Sequence, residues 1–286
     1  MPEVHSPALN RRELGAVLRA LRSAKGLTVE QVAERLLCSP SKVSRMETGQ
    51  GATARDIRDL CDLYEVADPA ERDRLMTLAR EGKGPARWQR YELAYATYAE
   101  LEQGALAISA FQSSVVHGLL HTAAYARAQH EGSMPRLDPG QIKLQIEAKL
   151  ARQRILTQAN PPAFAVVLDE AALHRLVGGR QVMAEQLAKI LDISALPSAK
   201  VQILPFELGA HPALESNFAI LRLPDPATDV VFVEGMIGSA YLDRPEDLER
   251  YNKVFHELQS IALSPKDTSE LIAKLLRSYK DGLCGV

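Results

Sequence analysis

The stretch TVEQVAERLLCSPSKVSRMETGQG, residues 28–51, holds two helix starts and one helix stop. Thr28 with Gln31 three residues later has the form of a capping box, in which each side chain satisfies a backbone N–H that the first turn leaves open. Ser39 followed by Pro40 supplies a second N-cap and a first-turn proline, whose missing N–H is no loss at that position. Val32, Ala33, Leu36 and Leu37 make the expected buried side of the first helix, Val43 and Met46 that of the second, and Gly49 marks the stop.

With Val43 and Met46 inward, Ser41, Lys42 and Arg45 point outward, and Ser41 and Arg45 lie one turn apart on the same face. A helix-turn-helix offers such a second helix to the major groove of double-stranded DNA, while the preceding helix crosses the backbone. Arginine can bond O6 and N7 of guanine together, discriminating by about 1–3 kcal/mol. Ser41 is a shorter reader, and Lys42 can reach a guanine or a phosphate. Ser44 and Thr48 flank the helix and suit phosphate contacts, as does the start of the preceding helix at Thr28. The competing use of the same residues is a polar helix that closes a small protein-interaction bundle.

Working outward, Leu14, Val17, Leu18 and Leu21 form one apolar stripe with Gly26 as its stop. Ile57, Leu60, Cys61 and Tyr64 form another, and Asp68-Pro69 opens a helix carrying Leu75, Leu78 and Ala79. The spacing predicts an all-α helix-turn-helix domain of five helices over residues 1–81, with EGKGPAR (81–87) placing a linker at 82–88. Residues 89–286 change character. RWQRYELAYATYAELEQ reads as helical with Tyr91, Tyr95 and Tyr98 on one side, and ALAISAF as a possible strand. Helices are expected at about 122–130 and from Asp138, Pro245 and Ser264-Pro265. AFAVVLD, KVQILPF, NFAILRL and DVVFVEG are short β-rich runs, the last two joined by PDPAT, a hairpin turn. The second part is therefore expected to be a larger α+β domain with a mainly antiparallel sheet.

The net charge of −2 excludes a generally basic coat, but residues 8–60 carry ten Lys/Arg against six Asp/Glu, whereas 84–286 carry twenty against twenty-three. A modestly cationic module on a neutral body fits that split. The three cysteines show no C-x-x-C spacing, so neither a disulfide framework nor a cysteine metal site is expected. The N-terminus lacks a signal-like apolar core and no run of eighteen apolar residues occurs, so a cytoplasmic protein without membrane contact is expected.

LRALRSAKGLTVEQVAERLLCSPSKVSRMETGQGATARDIRDLCDLYEV resembles the Xre-type, phage-repressor-like helix-turn-helix family over about residues 10–66. The resemblance implies that Arg22 of the first helix pairs with Glu47, fixing the angle of the reading helix, and that the chain binds DNA as a homodimer on a two-fold related operator. That family's phosphate-binding glutamine after the N-cap is Val29 here, so Gln31 or Arg55 has to supply part of that contact. Residues 88–280 resemble the companion domain of WhiJ-like actinobacterial regulators, on Trp88, SAFQSSVVHGLLHTAAYARA (109–128), ARQRIL (151–156), VLDEAALHRLVGG (167–179), VQILPFELGAH (201–211), Phe218 and VVFVEG (230–235). The resemblance implies a small acidic partner protein or a small-molecule effector, and as an alternative an antitoxin-like role in which DNA binding serves autoregulation. Tyr95, Phe111, His117, His121, Tyr125, Glu170, Arg175 and His211 are the candidate ligand or partner residues.

Two enzyme-like readings are weaker. His117 and His121 with His130 invite a metal, yet no H-E-x-x-H glutamate or close further ligand accompanies them, so ordinary histidines are the default. Asp169, Glu170 and His174 could form an acid/base cluster, but no nucleophile goes with them, and Asp169 as helix cap, Glu170 as support of the first turn and His174 with Arg175 as surface or interface groups explain them. No catalytic role, cofactor or metal is expected.

Overall fold

The structure, a computed structural model, describes residues 6–84, 96–134, 136–235 and 238–281. The chain divides into two compact units, of which the first joins the N-terminal region with 96–104 and 223–228.

In that first unit, α1 (Pro7–Ala24) is capped by Ser6 and ends at Lys25, with Gly26 at positive φ. The capping box of Thr28 and Gln31 starts α2 (Val29–Arg35), and Ser39 caps α3 (Pro40–Glu47). Thr53 and Asp56 form a second capping box on α4 (Ala54–Leu63), and Asp68 caps α5 (Pro69–Glu81). Leu14, Leu18, Val32, Val43, Met46, Ile57, Leu60 and Leu75 meet in one core, so the five expected helices bury the expected stripes. Leu37 is the exception. Helix α2 stops two residues before it, and Leu37 sits at φ 51° with 94% of its surface exposed, forming the turn where burial was expected. Left-handed backbone strains a branched side chain and this one packs on nothing, so Leu37→Gly should stabilise the unit by up to about 1 kcal/mol in a thermal melt.

Helix α6 (Ala96–Gly104) and the turn 223–228 also belong to this unit. The Ala8 N–H donates to Glu100 Oε2 at 3.1 Å, and Arg12 Nε donates to the Thr228 carbonyl at 2.7 Å, so both hold the start of α1. Of the tyrosine row expected before α6, Tyr98 is buried, whereas Tyr91 and Tyr95 lie outside the described residues, as does the linker from residue 85 onward.

The second unit is built on a six-stranded sheet of order β3-β2-β1-β4-β5-β6. Strands β1 (Ala107–Gln112), β2 (Ala163–Asp169) and β3 (Ala199–Leu204) run parallel, while β4 (Phe218–Arg222), β5 (Val230–Glu234) and β6 (Ser239–Leu242) are antiparallel. The sheet is therefore mixed, which corrects the expected mainly antiparallel one. The reason is connectivity. Helices α7 (Ala123–Glu131) and α8 (Pro139–Arg152) lie between β1 and β2, and α9 (Ala171–His174) and α10 (Gly179–Ser194) between β2 and β3; parallel neighbours need such crossovers. The PDPAT hairpin joins β4 to β5 as expected. Phe255 and Leu258 of α11 (Pro245–Ile261) share a core with Phe111, Phe218 and Val231. Edge strand β3 is covered near the start of α12 (Pro265–Asp281): the Leu263 N–H donates to the Ile203 carbonyl at 2.9 Å, and Ile203 N–H to Thr268 Oγ1 at 3.1 Å.

Candidate nucleic-acid interface

Helix α3 is seated by arginine contacts to Glu47 and by close backbone approaches at two glycines. Arg22 grips Glu47 with both ends of its fork, Nε to Oε1 at 2.6 Å and Nη2 to Oε2 at 3.0 Å, and its Nη1 donates to the Leu27 carbonyl at 2.8 Å. Arg19 Nη2 donates to the Glu47 carbonyl at 3.2 Å. Gly15 admits the α3 backbone so closely that a Cβ there would stand 2.7 Å from the Glu47 carbonyl oxygen, and Gly49, at φ 78°, is equally tight against the Arg11 carbonyl. Glu47 is buried, and the adjacent Tyr64 phenol is pushed upward in pKa by burial first and then by the Glu47 carboxylate. A bidentate, part-buried pair of this kind fixes orientation because neither partner has a cheaper position.

On the outer face, Ser41, Ser44, Arg45, Thr48 and Gln50 are exposed. Ser41 Oγ lies 3.0 Å from Ser39 Oγ, and Thr48 Oγ1 donates to the Arg45 carbonyl at 3.0 Å. Among the described residues the Arg45 guanidinium has no partner, which leaves its fork open. Lys42 differs from its sequence reading. Its Nζ is held 2.6 Å from Asp56 Oδ1, across to the first turn of α4. Lys42, Arg45, Gln50 and Gly51 line a half-open groove of about 290 Å³. Gln50 was not among the sequence candidates, and its only signal was its place directly after the helix-stop glycine.

Of the phosphate candidates, Thr28 and Gln31 are occupied by each other: Gln31 N–H donates to Thr28 Oγ1 at 3.2 Å and Thr28 N–H to Gln31 Oε1 at 2.9 Å, while among the described residues the Gln31 amide N–H₂ has no partner. Val29 packs against the core. Arg55 is 86% exposed, with Asp59 at 3.8 Å.

The candidates of the second unit separate into two places. His117, His121 and Tyr125 are buried together. His117 caps a 3₁₀ turn at Gly118–Leu120 instead of sharing an α-helix with His121. The His121 ring lies 4.7 Å from that of Tyr125, its Nε2 is 2.7 Å from the Val116 carbonyl, and Val116 N–H donates to the Tyr125 hydroxyl at 3.2 Å. Lys149 Nζ stands 3.4 Å from His121 Nδ1 and donates to Gln129 Oε1 at 2.8 Å. Burial drives Lys149 down to about 7, with Arg152 adding to it, and holds His121 well below the usual imidazole range. Burial, with help from Lys149, also takes His130 down to about 4.

The other place is the carboxyl end of β2. Asp169 Oδ1 accepts from the Ala171 N–H at 2.8 Å, while the N-cap position of α9 is Glu170, which makes no side-chain cap bond. Asp169 Oδ2 lies 3.6 Å from Nε2 of the buried His211, whose ring meets Phe111 edge-on at 5.3 Å. Glu170 joins His174 at 3.1 Å and accepts from the Phe206 N–H at 2.9 Å, while Arg175 is exposed. Among the described residues no group of three or more His, Cys, Asp or Glu is placed to hold a metal, and no helix is long and apolar enough to cross a membrane.

Residues 13–75 match the family described as "Helix-turn-helix domain". Residues 95–274 match "Domain of unknown function (DUF5753)", and since that is more than half of the chain, the protein belongs to this family. No curated protein and no solved structure matches it.

Proposed function

We propose that the protein is a sequence-specific, DNA-binding transcriptional regulator of Xre type, whose α3 reads base edges in the major groove. The observation that carries this reading is the division of α3: Val43, Met46 and Glu47 are buried and locked, while Arg45 is exposed with its fork unpaired, at the place where a helix-turn-helix meets DNA. Arg45, with Ser41 beside it, takes the base-reading role. Ser44, Thr48, Arg55 and the Gln31 amide contact phosphates. One module covers too little DNA for tight specific binding, since such interfaces run roughly 600–1,000 Å², so a homodimer on a two-fold operator is the working form.

The DUF5753 domain is the part we assign to a small protein partner or effector. Phe206 and Leu214, in the loop after β3, are 56% and 59% exposed, and Phe206 is braced by Glu170 and His174, so the loop presents apolar side chains from a sheet edge, where recognition is commonly carried. The Glu170–His174 pair is on this reading a support for Phe206 and takes no part in catalysis.

Arg45→Ala should weaken binding to the protein's own upstream DNA by about 10- to 100-fold in fluorescence anisotropy, the equivalent of one bidentate guanine contact. Retention of wild-type affinity would remove the base-reading assignment.

A further inference from the structure

We propose that Asp56 is a positioning residue for DNA reading, which pins Lys42 as a fixed donor beside Arg45 and withdraws it from indiscriminate phosphate binding. This rests on the DNA-reading function above and deepens it. The Asp56 carboxylate is held at both oxygens: Oδ2 accepts from Thr53 N–H at 2.9 Å and from Thr53 Oγ1 at 2.6 Å, while Oδ1 receives Lys42 Nζ at 2.6 Å. Its own N–H returns a bond to Thr53 Oγ1 at 3.1 Å. Such a capping box cannot swing away without exposing the start of α4, so the ammonium is tied to a point fixed by the fold. Burial alone would raise the Asp56 carboxyl, but the bonds from Lys42 and Thr53 overcome it, and the same contact raises Lys42, so both groups stay charged.

A free lysine on a recognition helix is a mobile cation on a four-carbon stem, and it adds affinity for every duplex alike through phosphate neutralisation. Lys42 is not free in this sense. Asp56 cancels its charge and takes one of its three N–H donors, leaving two to face outward. Lys42 and Arg45 line one groove with Gln50, and the Arg45 fork is open there. The complement of two neighbouring donor groups is an acceptor-rich major-groove edge, which guanine supplies through O6 and N7. The preferred duplex therefore carries guanine at neighbouring steps, and the weak net charge of the module is a means of selectivity: little of the binding is left to phosphate attraction.

The test compares full-length wild type with Asp56→Asn, in which an amide oxygen can still cap α4, on a selected duplex and on a scrambled one across a salt series. In Asp56→Asn, affinity for scrambled DNA should rise about 3- to 10-fold, with a salt slope steeper by about one unit, while affinity for the selected duplex rises less, so that selectivity falls. In a Lys42→Met background, Asp56→Asn should change selectivity no further. Unchanged selectivity in Asp56→Asn, or the same fall with Lys42 absent, would overturn the proposal while leaving the DNA-reading function intact; a wild type with no selectivity would overturn both. Should Asp56→Asn melt early, Lys42→Met decides alone: it lowers the charge of the module by one and weakens both duplexes, and a larger loss on the selected duplex supports the proposal while an equal loss on both contradicts it.

Discussion

Glu47→Ala should cost the first unit about 3–5 kcal/mol and abolish selective DNA binding, because it leaves the Arg22 guanidinium without its carboxylate in a part-buried site. The effect is large because the Arg22–Glu47 pair ties α1, α3 and the turn into α2 together. Arg22 spans from α1 to both Glu47 and the Leu27 carbonyl at the turn into α2, so its release loosens the angle of α3 as well as the core around Tyr64. Glu47→Gln keeps the size and one acceptor, and should lose less stability than alanine while still weakening the pair, since the charge-assisted bonds become neutral ones. Chemical denaturation of the three proteins, each followed by DNA titration under folding conditions, measures both parts.

The second unit should become more stable as pH rises from 7 to 9.5, by about 3 kcal/mol, through Lys149. Its folded-state pKa is about 7, against an ordinary value of 10.5. Between those values the unfolded chain holds a proton that the folded chain does not, so raising the pH favours folding across that window. Below about 7 the penalty of burying the amine is fully present and this group adds no further slope. His130, at about 4, and His121 act in the same sense lower down: stability is lost as pH falls below their ordinary value of 6.5, since the unfolded chain takes up protons that the core refuses. The groups around the amine are Gln129, His121 and Arg152, with Glu234 favouring its charged form. In Lys149→Met the gain between pH 7 and 9.5 should disappear. Equilibrium unfolding of the two proteins over that range, followed by a probe in the second unit, provides the comparison.

The first unit was legible because its signals are local. Thr28, Ser39 and Asp68, each read from the sequence, are side-chain caps that act within three residues of themselves, and Ser6 and Thr53, which went unread, are caps of the same local kind. Leu37 was misread because an apolar residue in a left-handed turn looks the same, in sequence, as one more residue of the α2 stripe. The Lys42–Asp56 pair was invisible for a different reason: it joins two helices, and nothing local in the spacing of 42 and 56 marks it. The same holds for the 223–228 turn, which belongs to the first unit and whose Thr228 carbonyl accepts from Arg12 Nε across 216 residues of sequence.

In the second unit the strand segments could be read, but their directions could not. β2 is inaccessible over much of its length, so its apolar run lacks the alternation that marks a half-exposed strand, and the helices between β1 and β3 were the better guide. Edge strand β6 escaped because Ser239 and Ala240 are exposed and the segment is short. The candidate residues fell into two separate places because a shared motif order says nothing of which side chains the crossovers bring together.

The central claim is that α3 reads DNA sequence through Arg45. Its most direct test is a titration of the full-length protein against its own upstream duplex and a scrambled duplex of equal composition, with wild type and Arg45→Ala side by side. The account predicts a salt-sensitive preference of wild type for the first duplex that Arg45→Ala largely loses, with the scrambled affinity little changed. Equal binding of both duplexes by the wild type, or an undiminished preference in Arg45→Ala, would contradict it.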